Sequence, residues 1–281
     1  MRRLLAVLLV AVATVSFAAS NETSGNFTTS DNVRLHYIEA GKGRAIVFVP
    51  GWTMPAEIWQ PQIDALSAKY RVIALDPRSQ GDSDKVADGN YPERHARDIL
   101  ELVDHLKLQK PVLVGWSLGA EDVFSYVDQF GTGNIGAVVL VDEFIKTDPQ
   151  LAAAYPQYMI KFQTDRRANT EAFVRSMYRK PQSDAYIAKI TADSLKMPTN
   201  SAMAMMMGSL GRLDWSDALA KMDKVPVQYH FEPYLKSQAD LIKQKFSFVQ
   251  LVPYDDAGHA LFVDDAERFN HELEELMQTA K

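Results

Sequence analysis

The most constraining stretch of this 281-residue chain runs from Pro111 to Ala120, where an apolar run, Val112-Leu113-Val114, meets Gly115-Trp116-Ser117-Leu118-Gly119. Beyond it Val123, Tyr126, Val127 and Phe130 recur at i, i+3, i+4 and i+7, the spacing of a packed helix. A bare Gly-x-Ser-x-Gly occurs by chance in many chains. A buried strand before it and a helix after it are the setting in which the motif carries chemistry. Gly115 and Gly119 leave room for a sharp turn that a Cβ would crowd, and the turn places the Ser117 hydroxyl at a helix N-terminus. Free N–H groups and the helix dipole favour negative charge there. A serine is a weak nucleophile near neutral pH, so the rest of the chain must supply a base, a group to orient that base and a second N–H donor.

The flanking sequence alternates between strands and helices. Val33 to Ala40, Ala45 to Val49, Arg71 to Leu75, Gly136 to Val141, Val225 to Phe231 and Phe248 to Val252 read as strands. Helical periods run from Pro55 to about Lys69, Tyr91 to Leu108 and Ser237 to Phe246, and a closing helix follows Asp264-Asp265-Ala266 with Phe269, Leu273, Leu276 and Met277 inward. In the helix from Tyr91, Ile99, Leu102, Val103 and Leu106 form the apolar stripe; His95 and His105 lie off it and are expected in solvent. This order predicts an α/β fold with a mostly parallel central sheet flanked by helices. From 146 to 224 no strand-like run occurs. Helical segments there carry Tyr155, Tyr158, Phe162, Phe173, Tyr178, Tyr186 and a cluster at Met203, Met205, Met206 and Met207. They read as a helical cap inserted after the strand that ends at Asp142. The expected units are therefore a leader over 1–19, a core over 20–145 and 225–281, and a cap over 146–224.

Composition narrows the function. With 47% apolar and 23% charged residues the chain can bury a large core. Its net charge of −6, without a Lys/Arg block, argues against nucleic acid and anionic membrane surfaces as partners. The absence of cysteine removes disulfides, thiolate metal sites and a cysteine nucleophile together. Met1-Arg2-Arg3, an apolar run from Leu4 to Phe17 and the small residues Ala18-Ala19-Ser20 read as a cleavable signal peptide cut near Ala18. The run is short for a membrane span, so the expectation is a secreted or periplasmic protein with no integral membrane segment after cleavage.

In order along the chain, Pro50-Gly51-Trp52, the loop from Asp76 to Ser83, the Ser117 motif, and Gly258-His259 followed by Phe262 and a final helix resemble the α/β-hydrolase superfamily across nearly all of the mature chain. The resemblance implies Ser117 as nucleophile and His259 as base, with the backbone N–H groups of Trp52 and Leu118 as oxyanion donors. Pro50 stands where the family often has histidine, and Ser79 replaces a commoner glycine. Most members also carry the triad acid just after the strand represented by Val225 to Phe231, yet Phe231-Glu232-Pro233-Tyr234-Leu235-Lys236 has no aspartate. Some relatives, haloalkane dehalogenases among them, place it after the strand that follows the elbow helix, here Asp142-Glu143. Strand alternation sends these two side chains opposite ways, so Asp142, at the strand end, is the preferred acid and Glu143 the alternative. Asp255 and Asp256 share the loop of His259 and are expected to turn away; Asp76, His36, His230 and His271 are expected to be structural or at the surface.

The implied function is an exported serine hydrolase that cleaves a small to medium apolar carboxylic ester through an acyl-enzyme, without cofactor or metal. Trp116, Met203 and Met207 are expected to touch the substrate. Lactones, thioesters and peracid formation suit the same residues, and the reading from another class is a slow-turnover binding protein on a hydrolase scaffold.

Overall fold

A computed structural model describes residues 22–280, so the expected leader over 1–19 lies outside the described residues. Eight strands form one sheet: β1 Thr23–Thr28, β2 Arg34–Ala40, β3 Ala45–Val49, β4 Arg71–Leu75, β5 Val112–Trp116, β6 Ala137–Val141, β7 Val227–Phe231 and β8 Val249–Pro253. Their spatial order is β1-β2-β4-β3-β5-β6-β7-β8. The β1–β2 and β2–β4 pairs are antiparallel and the remaining pairs parallel. The helices are α1 Gln60–Leu66, α2 Pro92–His105, α3 Leu118–Phe130, α4 Pro149–Thr164, α5 Arg166–Ser176, α6 Asp184–Ser194, α7 Thr199–Ser209, α8 Ser216–Ala220, α9 Lys236–Lys245, α10 Leu261–Asp264 and α11 Ala266–Thr279. The fold is the mostly parallel, helix-flanked α/β sheet expected from the sequence.

The two-residue period of the strands divides the core. Val47, Val49 and Leu113 face one helical layer, with Leu102 of α2, Val123 of α3, Leu219 of α8 and Ile242 of α9. Ile46, Phe48, Val112 and Val114 face the other, with Ile63 of α1 and Phe269 and Leu273 of α11. Each fully buried aliphatic or Phe side chain contributes about 1.5–3 kcal/mol, so the central strands are the most firmly anchored part of the molecule.

One strand was not read from the sequence, and two expectations change. The stretch from Asn21 to Ser30, polar in sequence, contains the edge strand β1, where Phe27 is the buried side chain; with the rest of the strand facing solvent, no alternation marks it. His95 is buried, with Nδ1 3.0 Å from Asp122 Oδ2, because α2 packs against α3 as well as the sheet and a second face is covered. The helical insertion is not uniform either. Trp215, Ala218, Leu219 and Met222 join the core layer with α3, so α8 belongs to the sheet's cover. Only α4 to α7 remain for the segment beside the strand ends, since helical character alone does not separate a covering helix from a layer helix.

Candidate active site

Ser117 lies between β5 and α3 at φ 53°, ψ −131°, a conformation rare for a non-glycine residue. The surroundings hold it there. Its N–H donates to the Val141 carbonyl at 2.9 Å, and its carbonyl accepts from the Ala120 N–H at 2.7 Å. A Cβ on Gly115 would collide with the Gly119 carbonyl and Ala120, and one on Gly119 with the Val49 and Pro50 carbonyls. Gly51 belongs to the same knot, because a Cβ there would sit 2.9 Å from Ser117 Cβ. Leu118 opens α3, so its N–H has no acceptor within the helix. The Trp52 N–H likewise has no acceptor among the described residues. Trp52, Ser117, Leu118, Asp142 and His259 all line one cavity of about 520 Å³.

His259 follows β8, and its Nδ1 lies 2.7 Å from Asp142 Oδ2, which fixes the proton on Nδ1 and leaves Nε2 as the free base. Asp142 has φ 50° immediately after β6. It is tied down by its own N–H to the His230 carbonyl at 2.8 Å and by the Glu232 N–H to its Oδ1 at 2.8 Å. The end of β7, which has no aspartate of its own, thus steadies the one on β6. Burial disfavours the charged imidazole, but the hydrogen bond and charge of Asp142, with Glu143 and Glu232 beyond, outweigh it and raise the His259 pKa above 6.5.

The loop carrying His259 is fastened on both sides. Trp116 Nε1 donates to the His259 carbonyl at 2.9 Å, and the Ala260 N–H to the Met177 carbonyl at 2.9 Å. Gly258 permits that approach, since a Cβ would lie 2.7 Å from the Met177 carbonyl oxygen. Trp116 is therefore buried among Trp59, Phe262 and His259 and does not line the cavity, contrary to its expected substrate contact. The methionine expectation shifts as well. Met203 packs beside Trp52 and Phe162, Met207 is exposed, and the cavity wall here is formed by Met206 and Ser209 of α7 and by Leu210 just after it. The helix is rotated so that the face beside the two expected methionines, rather than their own, meets the cavity. Asp76 and His36 are structural: the aspartate accepts from His36 Nδ1 at 2.7 Å, the Ala56 N–H at 2.6 Å and the Asp82 N–H at 2.9 Å. Asp255 and Asp256 are exposed, and His230 is buried with its ring against Tyr254.

One lining residue escaped the sequence, and another, Glu143, was read only as the alternative acid. Glu143 does not reach His259 by a hydrogen bond; its Oε1 accepts from the Phe144 N–H at 2.6 Å, and burial pushes its pKa up to about 7. Glu121 stands one turn beyond Ser117 on α3, buried, with Oε2 lacking any partner, and burial together with Glu143 raises its pKa well above 4.5. Its i+4 spacing from Ser117 was the available signal, because residues so spaced share a helix face.

This arrangement defines a class, the α/β hydrolases, and the comparisons agree. Residues 44–220 match the α/β hydrolase fold family, and the chain belongs to it. A non-heme chloroperoxidase of Kitasatospora aureofaciens is 28% identical over 89% of this chain and 98% of its own. A bifunctional esterase/perhydrolase of Acinetobacter calcoaceticus is 25% identical over 89% and 98%. Among solved structures, an esterase of Exiguobacterium antarcticum superposes with a TM-score of 0.80 at 20% identity, covering 90% of this chain and 98% of that one. Relatives of this chain are thus esterases, haloperoxidases and perhydrolases.

Proposed function

We infer that the protein is an exported serine hydrolase that cleaves a small to medium carboxylic ester through an acyl-enzyme on Ser117. The observation that carries this reading is the 2.7 Å contact of His259 Nδ1 with Asp142 Oδ2, made on the cavity that also holds the strained Ser117. His259 Nε2 takes the Ser117 proton as the oxygen attacks the ester carbonyl, and returns it to the departing alcohol. Water, deprotonated by the same nitrogen, then releases the acid. Asp142 holds the tautomer and steadies the imidazolium. The Trp52 and Leu118 N–H groups receive the oxyanion, each worth ~10²–10³ in rate. Phe144, Leu151, Ala154, Tyr155, Tyr158, Phe173, Met206 and Leu210 give the cavity a largely apolar body for the ester.

The names of the two relatives favour one further use of the acyl-enzyme. Hydrogen peroxide in place of water would attack the acyl carbon, giving a peracid and free Ser117. Export rests on the Met1–Ala19 sequence, and a secreted or periplasmic protein whose N-terminus begins near Ala19 is the expected product. The test of the main reading is hydrolysis of p-nitrophenyl esters of increasing chain length. Turnover that vanishes in Ser117→Ala supports it; equal turnover in that variant refutes it.

A further inference from the structure

We propose that Glu121 and Glu143 form a recognition site for a protonated amine, so that the preferred ester carries an amino group on its otherwise apolar body. The inference rests on the hydrolase reading for the word ester, but not for the binding site itself. Both glutamates are more than nine-tenths buried, at 6% and 7% exposure, and both line the cavity. Burying a carboxyl without a partner is costly, yet Glu121 Oε2 has none among the described residues. Glu143 meets only the Phe144 N–H through one oxygen. Both side chains nonetheless border the cavity, where an entering donor could meet them.

The surroundings select the charge of that ligand. The lining contains Glu121, Asp142, Glu143 and Glu232 and no lysine or arginine, so away from the oxyanion donors and His259 a substrate carboxylate or phosphate would face carboxyl groups. An ammonium group brings three donors and a positive charge. The rings of Phe144, Tyr155, Tyr158 and Tyr234 line the same cavity and offer faces that attract a cation. A metal ion fits less well: no group of three or more His, Asp or Glu side chains among the described residues is arranged to hold one.

Burial biases both carboxyls toward the protonated form. Glu143 is pushed up to about 7 by burial and by Asp142, against the pull of the Phe144 N–H and His259. Glu121 is raised by burial and then by Glu143, Asp122 on its own helix and Glu93 on α2. Asp122 itself is engaged with His95. An ammonium favours the ionised carboxylates, so its affinity rises as pH climbs through about 7 and its binding releases protons.

Calorimetric titration of folded Ser117→Ala protein with n-hexylammonium and with 1-hexanol, near pH 6 and well above pH 7, tests the proposal. At the higher pH the ammonium should bind about tenfold or more tightly than the alcohol, the value expected for a charge-assisted hydrogen bond. Buffers of different ionisation heat should report proton release. The preference should shrink near pH 6 and disappear in Glu121→Gln/Glu143→Gln, with hexanol binding unchanged; Glu143→Gln alone, reading the same ratio, serves if the double variant does not fold. Equal binding of the two ligands at high pH, no binding of the ammonium, or a preference that survives the glutamine substitutions would overturn it. The titration uses protein without its nucleophile, so an inactive wild type would refute the ester reading while leaving this result to stand or fall separately.

Discussion

The two walls of the cavity are held by different forces. The wall of loops at the sheet's end is set by residues of positive φ, Ser117 at φ 53° and Asp142 at φ 50° on the cavity and Thr53 at φ 63° just behind it, each locked by hydrogen bonds from backbone or buried side chains. The wall of α4 to α7 is held by apolar packing: Met159, Phe162, Met197, Ala202, Met203, Met205 and Met206 close around Trp52 and Leu118. Backbone strain and close contact tolerate one residue type at a position, whereas packing tolerates any side chain of suitable volume. Chemistry accordingly belongs to the strained wall and selectivity to the packed one.

The largest effects should fall on the strained wall. Ser117→Ala or His259→Ala should each lower kcat by ~10⁴ or more, and the double variant little further, because the two act as a unit; additive losses in ester kinetics would show that they do not. Asp142→Asn should cost ~10⁴ through the wrong imidazole tautomer, while Glu143→Gln stays within about tenfold on a neutral ester. The reverse ranking would move the acid to Glu143.

The acidic limb of kcat/KM sharpens the same point. His259 must be neutral to accept a proton and its pKa is raised, so activity should fall as pH drops through a midpoint above 6.5. Asp142→Asn should bring that midpoint down. The charged pair also stabilises the fold below the unfolded histidine pKa, and this contribution is lost as pH rises through the folded value. A midpoint unmoved by Asp142→Asn would detach the limb from this pair.

Gly51→Ala should reduce kcat by about 10²-fold at nearly constant KM, since its Cβ would press on Ser117 and a small misplacement of the nucleophile is expensive. The smallest effect should come from the packed wall. Met206→Ala should change KM for longer acyl or alkyl chains by about threefold with kcat retained, because the cavity gains volume without disturbing the loops. A large kcat loss there would erase the division between the walls.

The same division explains what could be read from the chain. The Ser117 turn, Gly51, Gly258 and His259 carry residue types that local geometry demands, so motif and spacing exposed them. Asp142 was reached through the family resemblance once the usual place after β7 proved vacant of aspartate, with strand alternation preferring it to Glu143. β1 was hidden because an edge strand with one buried residue, Phe27, shows no period. His95 was misplaced because helical amphipathicity counts one buried face and α2 has two. On α7 a run of methionines left the rotation open, and Met206 rather than Met203 or Met207 meets the cavity. Glu121 stayed unseen because charged residues are read as surface unless something marks them as buried, and Glu143 was read only as the alternative acid.

The direct test of the central claim is active-site labelling. An alkyl fluorophosphonate should modify the folded protein at one equivalent, with mass mapping to the peptide that bears Ser117, and Ser117→Ala should remain unlabelled. Folded wild-type protein that resists the reagent, or carries it on another residue, would contradict an activated Ser117.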